Sequence, residues 1–272
     1  MHTPLDNSKG NVARACGAGY GFIGYGFRYP DRAMLCTLTD GQCWSGWPAL
    51  LGAVDAEVGR CLDDVRAELT RIAKAVENSD RRRLDELHDA YAALFGHTVR
   101  GQCPAYELEY GQGEIIQRAS DLADISGFYA AFGLAVVQSY GDRPDHVTVE
   151  CEFMSALCEK EAHAIESDDT ERVETVRRAQ RLFLRDHLGR WLSAFADRAA
   201  HADSSFYSKL ARFAAVFIRL ESRRLDVPVG PTGLELRPVD VEQETTINCG
   251  GADMCPPGGA PPLTQVTVSA GS

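Results

Sequence analysis

In six segments between Val54 and Leu220, apolar residues return every third or fourth position, and no stretch alternates apolar and polar residues long enough to argue for a sheet. Val54, Val58, Cys61, Val65, Leu69, Ile72 and Val76 fall on one helical face, with Asp63, Asp64, Arg66, Glu68 and Arg71 on the wet one. After a capping run at 78–80, Leu84, Leu87, Tyr91 and Leu94 form a second stripe, and Leu122, Ile125, Phe128, Phe132 and Val136 form a third. Val147, Cys151, Met154, Leu157 and Ile165 define a fourth, with Pro144 in its first turn and Asp142 as its cap. Leu184, Leu188, Trp191 and Phe195 belong to a fifth; Leu210, Phe213, Phe217 and Leu220, opened by Asp203, belong to a sixth. The expectation is an all-α fold, one helical bundle-like domain over residues 47–226. Residues 1–46, rich in Gly and aromatics without a sustained period, read as an irregular extension with at most one short helix. Residues 227–272 are Gly- and Pro-rich with little to bury, which predicts an extended, disordered tail.

The net charge of −11 argues against a phosphate backbone as partner. It suits a cationic partner such as a basic peptide, or serves solubility alone. Nine scattered cysteines, two of them (Cys151 and Cys158) inside an apolar helical pattern, do not read as a disulfide scaffold and fit a reducing compartment. The N-terminal residues lack the charged-then-apolar order of a secretory signal, and no run approaches the roughly 18 apolar residues of a membrane span. A cytoplasmic location is expected.

Catalytic motifs are scarce. The run GAGYGFIGYG at 17–26 has Phe22 where a dinucleotide loop needs its third Gly, and reads as a flexible loop. Glu159 and His163 lie one turn apart, but Lys160 stands where a Glu-x-x-His motif needs its Glu. Cys249 and Cys255, without further ligands nearby, cannot complete a tetrahedral zinc site in one chain; a transient disulfide or an intermolecular site stays open to them. The rival to a non-enzymatic role is a helical metal-dependent oxidase or hydrolase using His146, His163 and His187; a second rival is a permanent scaffold subunit of a redox complex.

Two stretches need more than packing to explain them. In residues 91–111, Tyr106 and Tyr110 flank Glu107 and Glu109 in a long segment without helical period. In residues 143–154, Asp145 and His146 occupy a helix start; a carboxylate suits that end of the dipole, whereas an imidazolium does not. Together they resemble the TorD/DmsD/NarJ family of redox-enzyme maturation chaperones. The resemblance runs through Tyr91-Ala-Ala-Leu-Phe95, Pro104-Ala-Tyr-Glu107 and Phe128-Tyr-Ala-Ala-Phe132-Gly133. It continues through Pro144-Asp145-His146, Glu150-Cys-Glu-Phe-Met154, His187-Leu-Gly-Arg-Trp191 and Phe206-Tyr207. Cys151, in place of a more usual Leu, and Glu107-Leu-Glu109-Tyr110 depart from the family's pattern.

The resemblance implies an all-helical chaperone, not an enzyme, that holds the apo catalytic subunit of a molybdopterin oxidoreductase, by its twin-arginine leader or a nearby segment, until cofactor is inserted. It points weakly to the branch serving type II molybdoenzymes. It implies a binding site at Tyr106, Glu107, Tyr110, Pro144, Asp145, His146 and Glu150. It implies no resident cofactor; guanine nucleotide enters by resemblance alone, and no phosphate loop supports it.

Overall fold

The computed structural model describes residues 4–40, 45–78, 82–96, 102–112, 115–136, 143–201 and 205–238. Ten α-helices run through them: α1 (Pro4–Gly26), α2 (Arg32–Thr39), α3 (Trp47–Val54), α4 (Ala56–Glu77), α5 (Arg82–Phe95), α6 (Ile115–Ala131), α7 (Val147–Glu166), α8 (Thr170–Asp186), α9 (Leu188–Ala200) and α10 (Ser205–Leu225). Among the described residues there is no strand, only two isolated antiparallel bridges, Tyr106 with His146 and Tyr110 with Leu236. None of the described helices is long and apolar enough to cross a membrane.

The chief departure from expectation is α1. Its glycines recur at heptad spacing and form contact surfaces. A Cβ on Gly10 would lie 3.8 Å from the Ala162 carbonyl, on Gly17 3.1 Å from Cys158 Cβ, and on Gly24 3.1 Å from the Thr148 carbonyl. The carbonyls of Ala162, Ser155 and Thr148, which would meet those Cβ atoms at 3.8, 3.3 and 3.1 Å, descend along α7 by sevens, so the two helices pack antiparallel along a close seam. A second pair, Gly19 and Gly26, faces Phe217 and Leu210 of α10. The seam is also hydrogen-bonded: Ser155 Oγ donates to the Gly17 carbonyl at 2.8 Å and Thr148 Oγ1 to the Gly24 carbonyl at 3.1 Å. Each interior glycine costs about 0.5–1 kcal/mol of helix propensity relative to alanine. Close approach, and the burial of Tyr20, Ile23 and Phe27 at 1% exposure or less, offset that cost.

Two further boundaries differ. The single helix expected around Leu184–Phe195 is two, because His187 (φ −122, ψ −103) breaks the chain between α8 and α9. At the other end, the compact unit runs through Arg237 and does not stop at 226. Val227 and Arg237 are buried, and Gly230 N donates to the Gly189 carbonyl at 2.8 Å. The expected disorder of the remaining tail, with Cys249 and Cys255, lies outside the described residues, as do the proposed caps Asp142 and Asp203.

Inside the bundle a buried polar cluster ties α7, α8 and α10 together. Glu161 accepts from Arg177 Nε (2.6 Å), Gln180 Nε2 (2.8 Å) and Arg224 Nη1 (3.1 Å), and Arg224 also binds Glu221. Both carboxylates find cationic partners, as buried charges require.

The seam makes opposite predictions for two of its glycines. Gly17→Val, which has no room, should cost about 1–3 kcal/mol in denaturant unfolding. Gly10→Ala, with ordinary contact distances, should be neutral or stabilise by about 0.4–1 kcal/mol. Equal and negligible effects would mean that α1 does not pack as described.

Candidate functional site

Residues 103–111 cross the start of α7 as a short strap. Val147 N donates to the Ala105 carbonyl and Glu107 N to the Asp145 carbonyl, both at 2.8 Å, which makes the Tyr106–His146 bridge. A single 3-10 turn, Glu107–Glu109, follows, and its Leu108 N donates to Asp145 Oδ2 at 3.1 Å. Beyond it the strap pairs with the chain after α10: Gly111 N donates to the Glu235 carbonyl and Arg237 N to the Glu109 carbonyl, both at 2.8 Å.

The seven residues expected at the site therefore converge, though most face inward. Glu107, Tyr110, Asp145, His146 and Glu150 are 5% exposed or less, while Tyr106 and Pro144 are half-buried. Asp145 is gripped by Arg143, Nε to Oδ1 at 2.9 Å and Nη2 to Oδ2 at 2.7 Å. The same guanidinium lies 4.8 Å above the Tyr106 ring, which packs edge-on to His146. Tyr129 Oη donates to the Pro144 carbonyl at 2.7 Å, holding the turn before α7 from the far side. Tyr110 donates to the Pro104 carbonyl at 2.9 Å and packs on Trp191.

His146 is the helix cap. The first-turn role expected for Pro144 is not found; α7 begins at Val147, and His146 Nδ1 accepts from Thr148 N at 3.2 Å. An imidazole at a helix start thus has a structural reason, provided that it is neutral and presents a lone pair. It is kept neutral: burial, then the charges of Arg143 and Arg28, lower its pKa to about 4.

Glu107 and Glu150 form a second centre. Glu107 binds Arg190 through Nη2 at 2.7 Å and Nε at 3.2 Å, and its other oxygen lies 3.3 Å from His187 Nδ1. Burial raises its pKa, but His187 and Arg190 outweigh burial and leave it below the ordinary carboxylate value. Glu150 goes the other way. Burial first, then the Glu107 charge, push it well above the usual range, against the pull of Trp191 Nε1 donating to its Oε2 at 3.1 Å. Its Oε1 has no donor partner. Burial and the neighbouring charge thus both favour the protonated form of Glu150. Asp145 is raised by burial more than Arg143 lowers it.

The histidines proposed for a metal do not assemble. His146 and His163 sit at opposite ends of α7, about 25 Å apart at helical rise, and His163 is exposed. Among the described residues no group of three His, Cys, Asp or Glu could hold a metal ion. Arg143, Tyr129, Arg190 and Trp191 are site members that the sequence reading left without a role, and His187, considered there as a metal ligand, faces Glu107 instead. Arg143 and the His187-to-Trp191 run stand inside its motifs, but nothing local tells which carboxylate each serves.

Close by, a largely apolar groove of about 640 Å³ opens between α1, α2 and α3, lined among others by Ala15, Ala18, Phe22, Tyr25, Leu38 and Trp47, with Arg14 and Glu159 on its rim. Tyr25 lies under Arg28, which pairs with Glu152 of α7 and whose charge reaches His146. Only the Tyr25 end of the groove approaches the start of α7; the rest of its lining on α1 runs back to Asn11.

A family model described as nitrate reductase delta subunit matches residues 60–197. The chlorate reductase assembly chaperone protein of Ideonella dechloratans is 27% identical over 208 residues, 76% of this chain and 85% of that protein. The chaperone protein TorD of Vibrio cholerae is 31% identical over 164 residues, 58% of this chain and 72% of that one. The selenate reductase assembly chaperone protein of Thauera selenatis is 35% identical over 85 residues, 31% and 43% of the two chains.

Two stability predictions follow from the electrostatics. A folded-state pKa depressed from 6.5 to about 4 means that the unfolded chain binds the extra proton between those values. The contribution of neutral His146 is therefore complete above pH 6.5 and is lost as pH falls towards 4, on the order of 3 kcal/mol. His146→Asn, which caps without titrating, should flatten the stability profile in that window; an unchanged slope would refute the assignment. At pH 7, Glu150→Gln, which keeps the shape of the side chain and an acceptor for Trp191 Nε1, should cost less than Glu107→Gln, which strands Arg190 and should cost about 3–5 kcal/mol.

Proposed function

We infer from one premise, that the chain belongs to the nitrate reductase delta subunit family, that it is a maturation chaperone for the catalytic subunit of a molybdenum oxidoreductase. The match over residues 60–197 carries this reading, since it spans both the strap and the start of α7. Relatives named as assembly chaperones of chlorate and selenate reductases support the client class. The chain acts as a binding protein, in the cytoplasm before export, and takes the client's twin-arginine leader or an adjacent segment.

The burial of the acids gives the proposed site a division of labour. Tyr106 and Pro144, half-buried, are the contact points. Asp145, His146, Glu107, Tyr110 and Glu150 set the shape of the strap beneath them. A leader arginine reaches Asp145 only by displacing Arg143, an exchange of one charge-assisted pair for another. The leader's apolar stretch occupies the groove between α1, α2 and α3, in the helix-in-groove manner. The net charge of −11 speeds encounter with a basic segment.

The description of the family as a subunit favours one alternative, a permanent component of a redox complex. Co-purification separates the two. Tagged protein from its native cell should carry an immature catalytic subunit with leader attached and cofactor missing. Recovery with the mature, active enzyme at fixed stoichiometry would establish the subunit reading, and recovery of neither would sink both. Binding of a synthetic leader should weaken as salt rises, and Asp145→Asn should reduce it by about tenfold; salt-independent binding with a silent variant would remove the electrostatic part of the account.

A further inference from the structure

Behind the strap, the guanidinium groups outnumber the hydrogen bonds available to them. Arg118 comes from α6, Arg190 from α9, and Arg237 from the segment after α10. Arg237 is anchored by its backbone on Glu109, and a Cβ on neighbouring Gly111 (φ +85) would stand 3.3 Å from Arg190 Nη1, so all three lie about one bend of the strap. Arg190 spends its Nε and Nη2 on Glu107. Arg118 reaches Glu109 Oε1 only at 3.7 Å, sharing that oxygen with Arg143 at 3.6 Å, and both distances are ion-pair contacts beyond hydrogen-bond length.

Arg237 stands out. It is 6% exposed, yet its Nε and Nη1 find no hydrogen-bond partner among the described residues, and neither does Arg118 Nε. Asp121 of α6 adds a negative charge in range of Arg237 without taking either of those donors. Burial, then the charge of Arg118, holds the Arg237 guanidinium below its ordinary pKa, with Arg190 adding to the same strain. Native interiors rarely leave charged donors in that condition, because an unsatisfied buried charge is costly.

We propose that Arg118, Arg190 and Arg237 form a binding site for a phosphate group. Three guanidinium groups from three segments suit an acceptor with three terminal oxygens better than a carboxylate, whose two oxygens one guanidinium can saturate. The site is open to a phosphate carried as a monoester or to the free ion, and it stands independently of the client-binding reading.

The test uses the full chain in a phosphate-free buffer, with ionic strength held constant by chloride. Inorganic phosphate, methyl phosphate and acetate are titrated in turn, read by calorimetry and by the thermal midpoint. Expected is saturable binding of phosphate with a rise in midpoint, and a loss of affinity of about tenfold or more in Arg237→Met. Arg118→Gln, at a half-buried position, should weaken binding in the same direction and serves if the first variant fails to fold. Equal binding of methyl phosphate assigns the site to a phosphate monoester; binding of the inorganic ion alone assigns it to free phosphate. No saturable binding at millimolar concentration, acetate binding as well as phosphate, or indifference to Arg118→Gln would overturn the proposal.

Discussion

The seam between α1 and α7 is the constraint on which the rest depends. Gly10, Gly17 and Gly24 let two helices approach until the backbone of one meets side-chain stems of the other. That approach carries Phe27 to the aromatic cluster of Phe95 and Phe195, so the N-terminal helix reaches the centre of the bundle. It also fixes the height of the α7 start, because Thr148 is hydrogen-bonded to Gly24 two residues after the bridge that holds the strap. A shift of α7 along α1 would move His146 and the whole candidate site with it.

The strap itself is held by charge. A segment of nine residues without regular structure can be buried only if its polar groups find partners. Here Asp145 serves as a template, taking Leu108 N on one side and Arg143 on the other, while Glu107 draws in Arg190 and His187. The acids look from sequence like ligands for a basic partner, yet each already has a partner within the fold. What remains for a partner is the half-buried rim, Tyr106 and Pro144, with Arg143 over the tyrosine. Such an arrangement gives a basic segment a surface whose shape is set by internal ion pairs, and makes binding sensitive to anything that competes for Arg143.

The Glu161–Arg224–Glu221 cluster fills a different role. Its members come from α7 and α10, with Arg177 and Gln180 from α8. An apolar substitute could match it in stability, but only a polar arrangement penalises the wrong helix register, by stranding a charge. The seam and this cluster thus align α7 against its neighbours by opposite means, one by closeness and one by charge.

The apolar period of 3.6 residues, and the lack of a period of two, determined by themselves that the striped segments between residues 54 and 220 are helical, because each helix must bury a stripe. The family resemblance, not the period, singled out the seven residues of the strap and helix start, which do meet. The period misjudged α1 because glycine carries no hydrophobic signal; the trace was there in the spacing 10, 17, 24, which only a partner helix explains. It missed the break at His187 for a related reason, since apolar spacing continues across it while the backbone does not. Whether Asp145 faces a partner or Arg143, and whether Glu150 is charged or neutral, was decided only by tertiary structure. Those properties depend on burial and on charges distant in the chain, such as Glu107 beside Arg190, and no local pattern encodes a distance through space.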